Sequence, residues 1–197
     1  TIVAYDALKG EIAFVAAGGQ VGRTTRIPDF RPGTRPVGEA LPDGGLVFSA
    51  SLGGTRAPPG SSGVDEAAVE IRVASADLKV GQVFGPFPGA VRYHDMREGF
   101  FVMPMPFSRQ SSFAVLGHRL IVATGEEPQV EMIDVRDGSS DTLRIHLDPR
   151  DVTSEDIGRF RESWIQAGET EDIRRFRRRI AGEIPYPSVM PPYEMIR

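Results

Sequence analysis

Acid–base or metal chemistry in this 197-residue chain would have to start from three histidines, His94, His118 and His146. None shares a short ligand spacing with another His, and the chain has no Cys, which removes thiolate sites and disulfides together. His118 falls in an expected turn and His146 on the polar side of an expected strand, so both read as solvated surface residues. The Gly-rich run Ala16-Ala17-Gly18-Gly19-Gln20-Val21-Gly22 lacks the Gly-Lys-Ser/Thr ending and the following helix of a phosphate loop. Gly60-Ser61-Ser62-Gly63 lacks the Gly-x-Ser-x-Gly spacing of a serine nucleophile and lies in a Pro-rich loop. The concentrated basic feature is Arg174-Arg175 with Arg177-Arg178-Arg179. Over residues 150–182 eight Arg face seven acids, with Glu155, Asp156, Glu171 and Asp172 early in two expected helices and most of the Arg late. That order complements the helix dipoles and favours a solvated face over a nucleic-acid site. Arg174, Arg175 and Arg178 are retained as a candidate partner-binding set.

The elements that would position these groups are mostly strands. A two-strand unit recurs as Ile2-Val3-Ala4-Tyr5-Asp6 with Lys9-Gly10-Glu11, as Val69-Glu70-Ile71-Arg72-Val73 with Val80-Gly81-Gln82, and as Val130-Glu131-Met132-Ile133-Asp134 with Asp137-Gly138. Each copy alternates apolar and polar residues and turns at or near a Gly, which is hairpin chemistry. Residues 1–16 read as the outer hairpin of a sheet, and 17–36 as a Gly-, Arg- and Pro-rich crossover. Val37 to Leu41, the Pro42-Asp43-Gly44-Gly45 turn and Leu46-Val47-Phe48 predict an inner hairpin whose second strand is buried on both faces. The stretch from Gly53 to Gly63 reads as a mobile surface loop, ahead of outer strands at about 67–75 and 78–84. Prolines place Phe84 to Gly89 and Met103 to Phe107 in connections or at edges. Residues 112–116 and 119–123, then 129–135 and 142–147, complete the next set.

At Pro149 the period changes to that of a helix. Thr153 or Ser154 caps a stripe of Ile157, Phe160 and Trp164 ended by Gly168, and Thr170 caps a second stripe of Ile173, Phe176 and Ile180 ended by Gly182 and Pro185. The helical hairpin is expected between two sheets, with a Pro-rich tail through Tyr193 leading back toward the sheet. Twenty-two Gly, sixteen Pro and one Trp suit a turn-rich β protein. A net charge of −4 gives no electrostatic reason to expect nucleic acid, and no stretch approaches the about 20 apolar residues of a membrane helix. The chain begins with Thr1 inside a strand pattern, which reads as a piece of a longer protein.

The segment from Pro106-Phe107-Ser108 through Gly117 to Val122, Val130 to Asp134, Asp137-Gly138, the two helices and Pro187 to Tyr193 resembles bacterial six-bladed β-propeller proteins of the NHL and TolB kind. The resemblance covers roughly residues 37–197. It implies an all-β fold, a partial β-propeller of about two full four-stranded blades plus half a blade, with an inserted helical hairpin. The expected organisation is blades over 1–148, the helical insertion over 149–184, and a Pro-rich lead into a missing next blade over 185–197. The family is often exported, so a periplasmic or exported location is what the resemblance implies. It supplies no catalytic motif and no cofactor, and the expected function is non-catalytic scaffolding for a protein or small ligand. The alternative is a metal-dependent lactonase or hydrolase, because gluconolactonase-like propellers hold a divalent ion with carboxylate and amide ligands. This chain has no Asn, and Asp43, Asp65, Glu66 and Asp95 are the candidate oxygen ligands.

Overall fold

The computed structural model describes residues 2–6, 9–16, 18–27, 31, 33–53 and 58–192, with the side chains of Ile2 and Val3 outside the description. Ala17, Pro32, residues 54–57 of the expected surface loop, and Tyr193 with the rest of the tail also lie outside the described residues. Among the described residues twelve strands form three antiparallel sheets, followed by two helices. The fold is all-β in class, a propeller-like succession of antiparallel sheets with a helical hairpin added.

The first sheet is β1 (Ile2–Asp6), β2 (Glu11–Val15) and β3 (Val21–Arg26), in that order. Here the crossover reading of 17–36 is corrected, since Val21–Arg26 pairs antiparallel with β2. It was hard to see because this edge strand is almost wholly exposed and carries no apolar alternation. β1 and β2 pair as the hairpin the sequence predicts, and β3 adds a third strand on the β2 side. The turns of the first and third repeat copies share one geometry: Gly10 N–H donates to the Asp6 carbonyl and Gly138 N–H to the Asp134 carbonyl, each at 2.8 Å. The middle copy differs. Its turn is Ser75 to Lys79, with Leu78 and not Gly81 at positive φ.

The middle sheet runs β4 (Arg35–Pro36), β5 (Leu46–Leu52), β6 (Ser62–Ala74), β7 (Val80–Asp95) and β8 (Phe101–Pro104). Val37 to Leu41 is not itself a strand, but Val37 N–H bonds to the Val47 carbonyl and Leu41 N–H to the Gly45 carbonyl, each at 2.8 Å. The expectation for β5 holds in detail. Leu46 and Phe48 pack with Ile12, Ile27, Ala74 and Leu78 on the side of the first sheet. Val47, between them, packs with Ile71, Leu120, Val122 and Ile133 on the side of the third. A continuous apolar run is thus what a strand with two covered faces requires.

Of the two readings its prolines allow, a connection or an edge, Phe84 to Gly89 is the edge: it is part of the 16-residue β7, on a stretch that β8 does not pair. Two features admit Pro86 and Pro88 there. The β6–β7 register shifts between Glu66 and Ala68 and between Val69 and Ile71, and β8 pairs only with residues 92–95, so this stretch of β7 has one free side. Gly89 is required at the same bend, since a Cβ there would lie 2.0 Å from the Ala67 carbonyl oxygen.

The third sheet runs β9 (Ser112–Leu116), β10 (Arg119–Ala123), β11 (Gln129–Asp134) and β12 (Ser140–Arg144), with β12 exposed throughout and β10 the more buried. Helices α1 (Ser154–Gln166) and α2 (Glu171–Glu183) begin at the expected caps Thr153 and Thr170. Their position corrects the expectation of a hairpin between sheets. They sit on the far part of β7 and β8, where Tyr93, Met105, Ile180 and Ile184 form a separate core with Phe101, Met103, Trp164 and Phe176 around it. Ile173 is 39% exposed and is no part of that core, so the apolar stripe of α2 is Phe176 and Ile180. The tail then returns to the helix entry: Val152 N–H donates to the Ser188 carbonyl, and Met190 N–H to that of Arg150.

Candidate functional site

The register of β7 decides what faces the helices. Tyr93 and Asp95 alternate onto the helix-bearing side, and α2 brings Arg179 and Glu183 down onto them. Asp95, with its side chain 2% exposed, accepts from Arg97 Nε and Nη2 at 2.9 Å and from Arg179 Nη1 at 2.7 Å. Glu183 pairs with Arg97 and accepts from the Tyr93 hydroxyl at 3.1 Å. The hydrogen bonds from Arg97 hold the Asp95 carboxyl well below the usual carboxylate range, against the opposing effect of burial. Burial raises the Tyr93 hydroxyl above its ordinary value. These groups fasten a helix to a strand.

The candidate arginines occupy the outer side of that fastened helix. Arg174 donates to the Gly168 carbonyl at 3.0 Å and lies 3.8 Å from Glu171, Arg175 lies 3.5 Å from Asp172, and Arg178 lies 2.6 Å from Glu171. Arg175 is the most open, at 73% exposed. The other two basic residues of the run turn inward: Arg177 donates to the Trp164 carbonyl and stacks over its ring, and Arg179 goes to Asp95 and Glu98. Arg174, Arg175 and Arg178 thus form one surface, partly neutralised by first-turn acids as the sequence order implied.

The candidate oxygen ligands do not converge. Asp43 accepts from Gly45 N–H within its turn, Asp65 pairs with Arg92, Glu66 with Arg109, and Asp95 is held as above. Among the described residues no group of three or more His, Cys, Asp or Glu could hold a metal ion. His146 is exposed, His118 half-buried in its turn, and His94 buried in β7 with Gly63 packed on its ring. Also among the described residues, no helix is long and apolar enough to cross a membrane.

Sequence reasoning missed two clefts that flank the returning tail. One, of about 350 Å³, is walled by Val91, Phe107, Arg109 and Pro187; the other, of about 370 Å³, by Pro128, Leu147, Asp148 and Arg150. Both share Glu126 and the run from Val189 to Pro192. Phe107 has φ of 59°, a strained conformation for a non-glycine residue, and Arg109 bridges Glu66 and Glu126 across the first cleft. One signal in the sequence did mark the ion-paired strand ends. Asp95-Met96-Arg97 and Asp134-Val135-Arg136 repeat an Asp-x-Arg spacing, and in both the Arg N–H and guanidinium fold back on the Asp. No protein-family model matches the chain, and a comparison with curated proteins found no match.

Proposed function

We propose that this chain is part of a six-bladed β-propeller of the NHL and TolB kind and serves as a non-catalytic scaffold for a protein or small ligand. The observation that supports a binding role is the helical hairpin. Its inner side is locked to β7 and β8 through Asp95, Arg179 and the Trp164 core, while Arg174 and Arg178 stand on the opposite side of α2 and Arg175 on the exposed flank beside them. Rigid presentation lowers the ordering cost of recognition. Arginines whose partners are exposed carboxylates exchange them for an acidic partner surface at little cost.

The test places a photo-crosslinking residue at Arg175, and as a control at Ser140 on β12, in the protein expressed in its host cells. The reading expects discrete adducts from position 175 that vanish when Arg174 and Arg178 are both changed to Glu. No adducts at 175, together with lactone hydrolysis that depends on added calcium, would sink it in favour of an enzyme.

A further inference from the structure

The larger of the two clefts has a charge its own neighbours do not neutralise. Glu126 is taken by Arg109 at 2.9 Å, and Arg150 by Asp156 at 2.9 Å. Arg109 is shared by Glu66 and Glu126, and Asp156 holds both Arg150 and Arg159. Asp148, in the lining of the same cleft, has no hydrogen-bond or ion-pair partner among the described residues. Besides Asp148, Glu126 and Arg150, the lining is apolar and includes Pro128, Leu147, Pro149, Val189 and Met190. Leu147 and Val189 are 42% and 44% exposed, large apolar side chains left open beside an unpaired carboxylate. The volume of about 370 Å³ falls within the about 300–1,000 Å³ of small-molecule sites.

We infer that this cleft binds a small amphiphilic amine, its ammonium on the Asp148 carboxylate and its apolar body between Leu147 and the Val189–Met190 wall. The walls are set by backbone, not by long side chains alone. Met190 N–H is fixed to the Arg150 carbonyl at 2.8 Å and Ile145 N–H to the Pro128 carbonyl at 2.7 Å, so the opening exists before the ligand arrives. A carboxylate ligand of the same shape is disfavoured, because it would stand beside Asp148 with the adjacent guanidinium already engaged.

The inference rests on the reading of the molecule as a binding scaffold, and it is tested at a different place. The ¹⁵N-labelled 197-residue chain is titrated with phenethylamine and, separately, with 3-phenylpropanoate, following backbone amide shifts. Phenethylamine is expected to give saturable shifts at Leu147, Asp148, Val189 and Met190, and 3-phenylpropanoate none. Asp148→Asn should weaken the amine about tenfold, the scale of one charge-assisted contact, and Glu126→Gln should leave it within about twofold, since that carboxylate already has Arg109. Asp148 is at the surface, so a folded variant is expected and circular dichroism checks it. Equal binding of the acid, an unchanged affinity in Asp148→Asn, or shifts confined to other residues would each overturn the amine site. Crosslinks from Arg175 would survive that outcome, so the two readings fail separately.

Discussion

At Asp95 one carboxylate joins a strand end to a helix, and its energetics set how the protein responds to acid. Its folded-state pKa is depressed, chiefly by Arg97, so the contribution is fully present above the ordinary carboxylate value near about 4 and is lost as pH falls below it. Asp156, lowered to about 2 by Thr153 in the capping box, acts in the same direction and over the window between about 4 and 2. Asp95→Ala is expected to cost about 2 kcal/mol at pH 7, a buried-pair loss discounted for the partial exposure of both guanidiniums. Urea unfolding at pH 7 and pH 3 checks it, because the gap between wild type and variant should shrink at the lower pH. A gap that does not change would show that Asp95 acts through packing alone. Of this cluster, the sequence carried the local half, Asp95-x-Arg97, as a spacing. Arg179 and Glu183 come from about 85 residues away and leave no local trace, so in the sequence Asp95 stands only as one of four candidate oxygen ligands of the alternative hydrolase reading and its fastening role is invisible.

At the scale of elements, the helices were legible because their caps are local chemistry. Thr153 and Asp156 form a capping box and Thr170 accepts from Ile173 N–H, so Thr153→Ala should cost about 1 kcal/mol of stability. Which side of each helix is covered was only half legible. Trp164 stacks on Phe160 and meets Phe101, whereas Ile173, at the same spacing in the pattern, faces outward, since α2 leaves the β7–β8 platform before its first turn is covered. Trp164→Ala is therefore expected to lose about 3 kcal/mol and Ile173→Ala less than about 0.5 kcal/mol, both measured by chemical denaturation. Equal losses would place Ile173 in the core after all. The long β7 was illegible for a different reason. Pro86 and Pro88 allow a connection or an edge strand alike, and only the register shifts and the free side of β7 decide for the edge.

At the scale of the molecule, the three sheets are coupled through the middle one, so damage to a single residue of β5 should spread. Phe48→Ala removes a fully buried ring shared with the first sheet and should cost about 4 kcal/mol, with hydrogen exchange accelerating in β2 as well as β5. Acceleration confined to β5 would mean the sheets open independently. The face of the third sheet turned away from the middle sheet is buried at Ala123 and Val130 but also carries Ile121 and Met132 with Leu116 and Leu143, the last two 73% and 54% exposed. Purified chain is expected to self-associate with rising concentration in sedimentation velocity, and Leu116→Lys with Leu143→Lys to suppress this; a wild type that stays monomeric would refute the expectation. The alternation of Leu46, Val47 and Phe48 between two neighbours carries an evolutionary consequence as well. Point substitutions of similar volume there leave each contact in place, but inserting or deleting one residue in β5 turns every side chain beyond it to the opposite neighbour. Length changes along this lineage should therefore be purged from residues 46–52 and collect in the exposed stretch at Pro58 and Pro59, ahead of the Gly60 N–H bond to the Met96 carbonyl where pairing resumes.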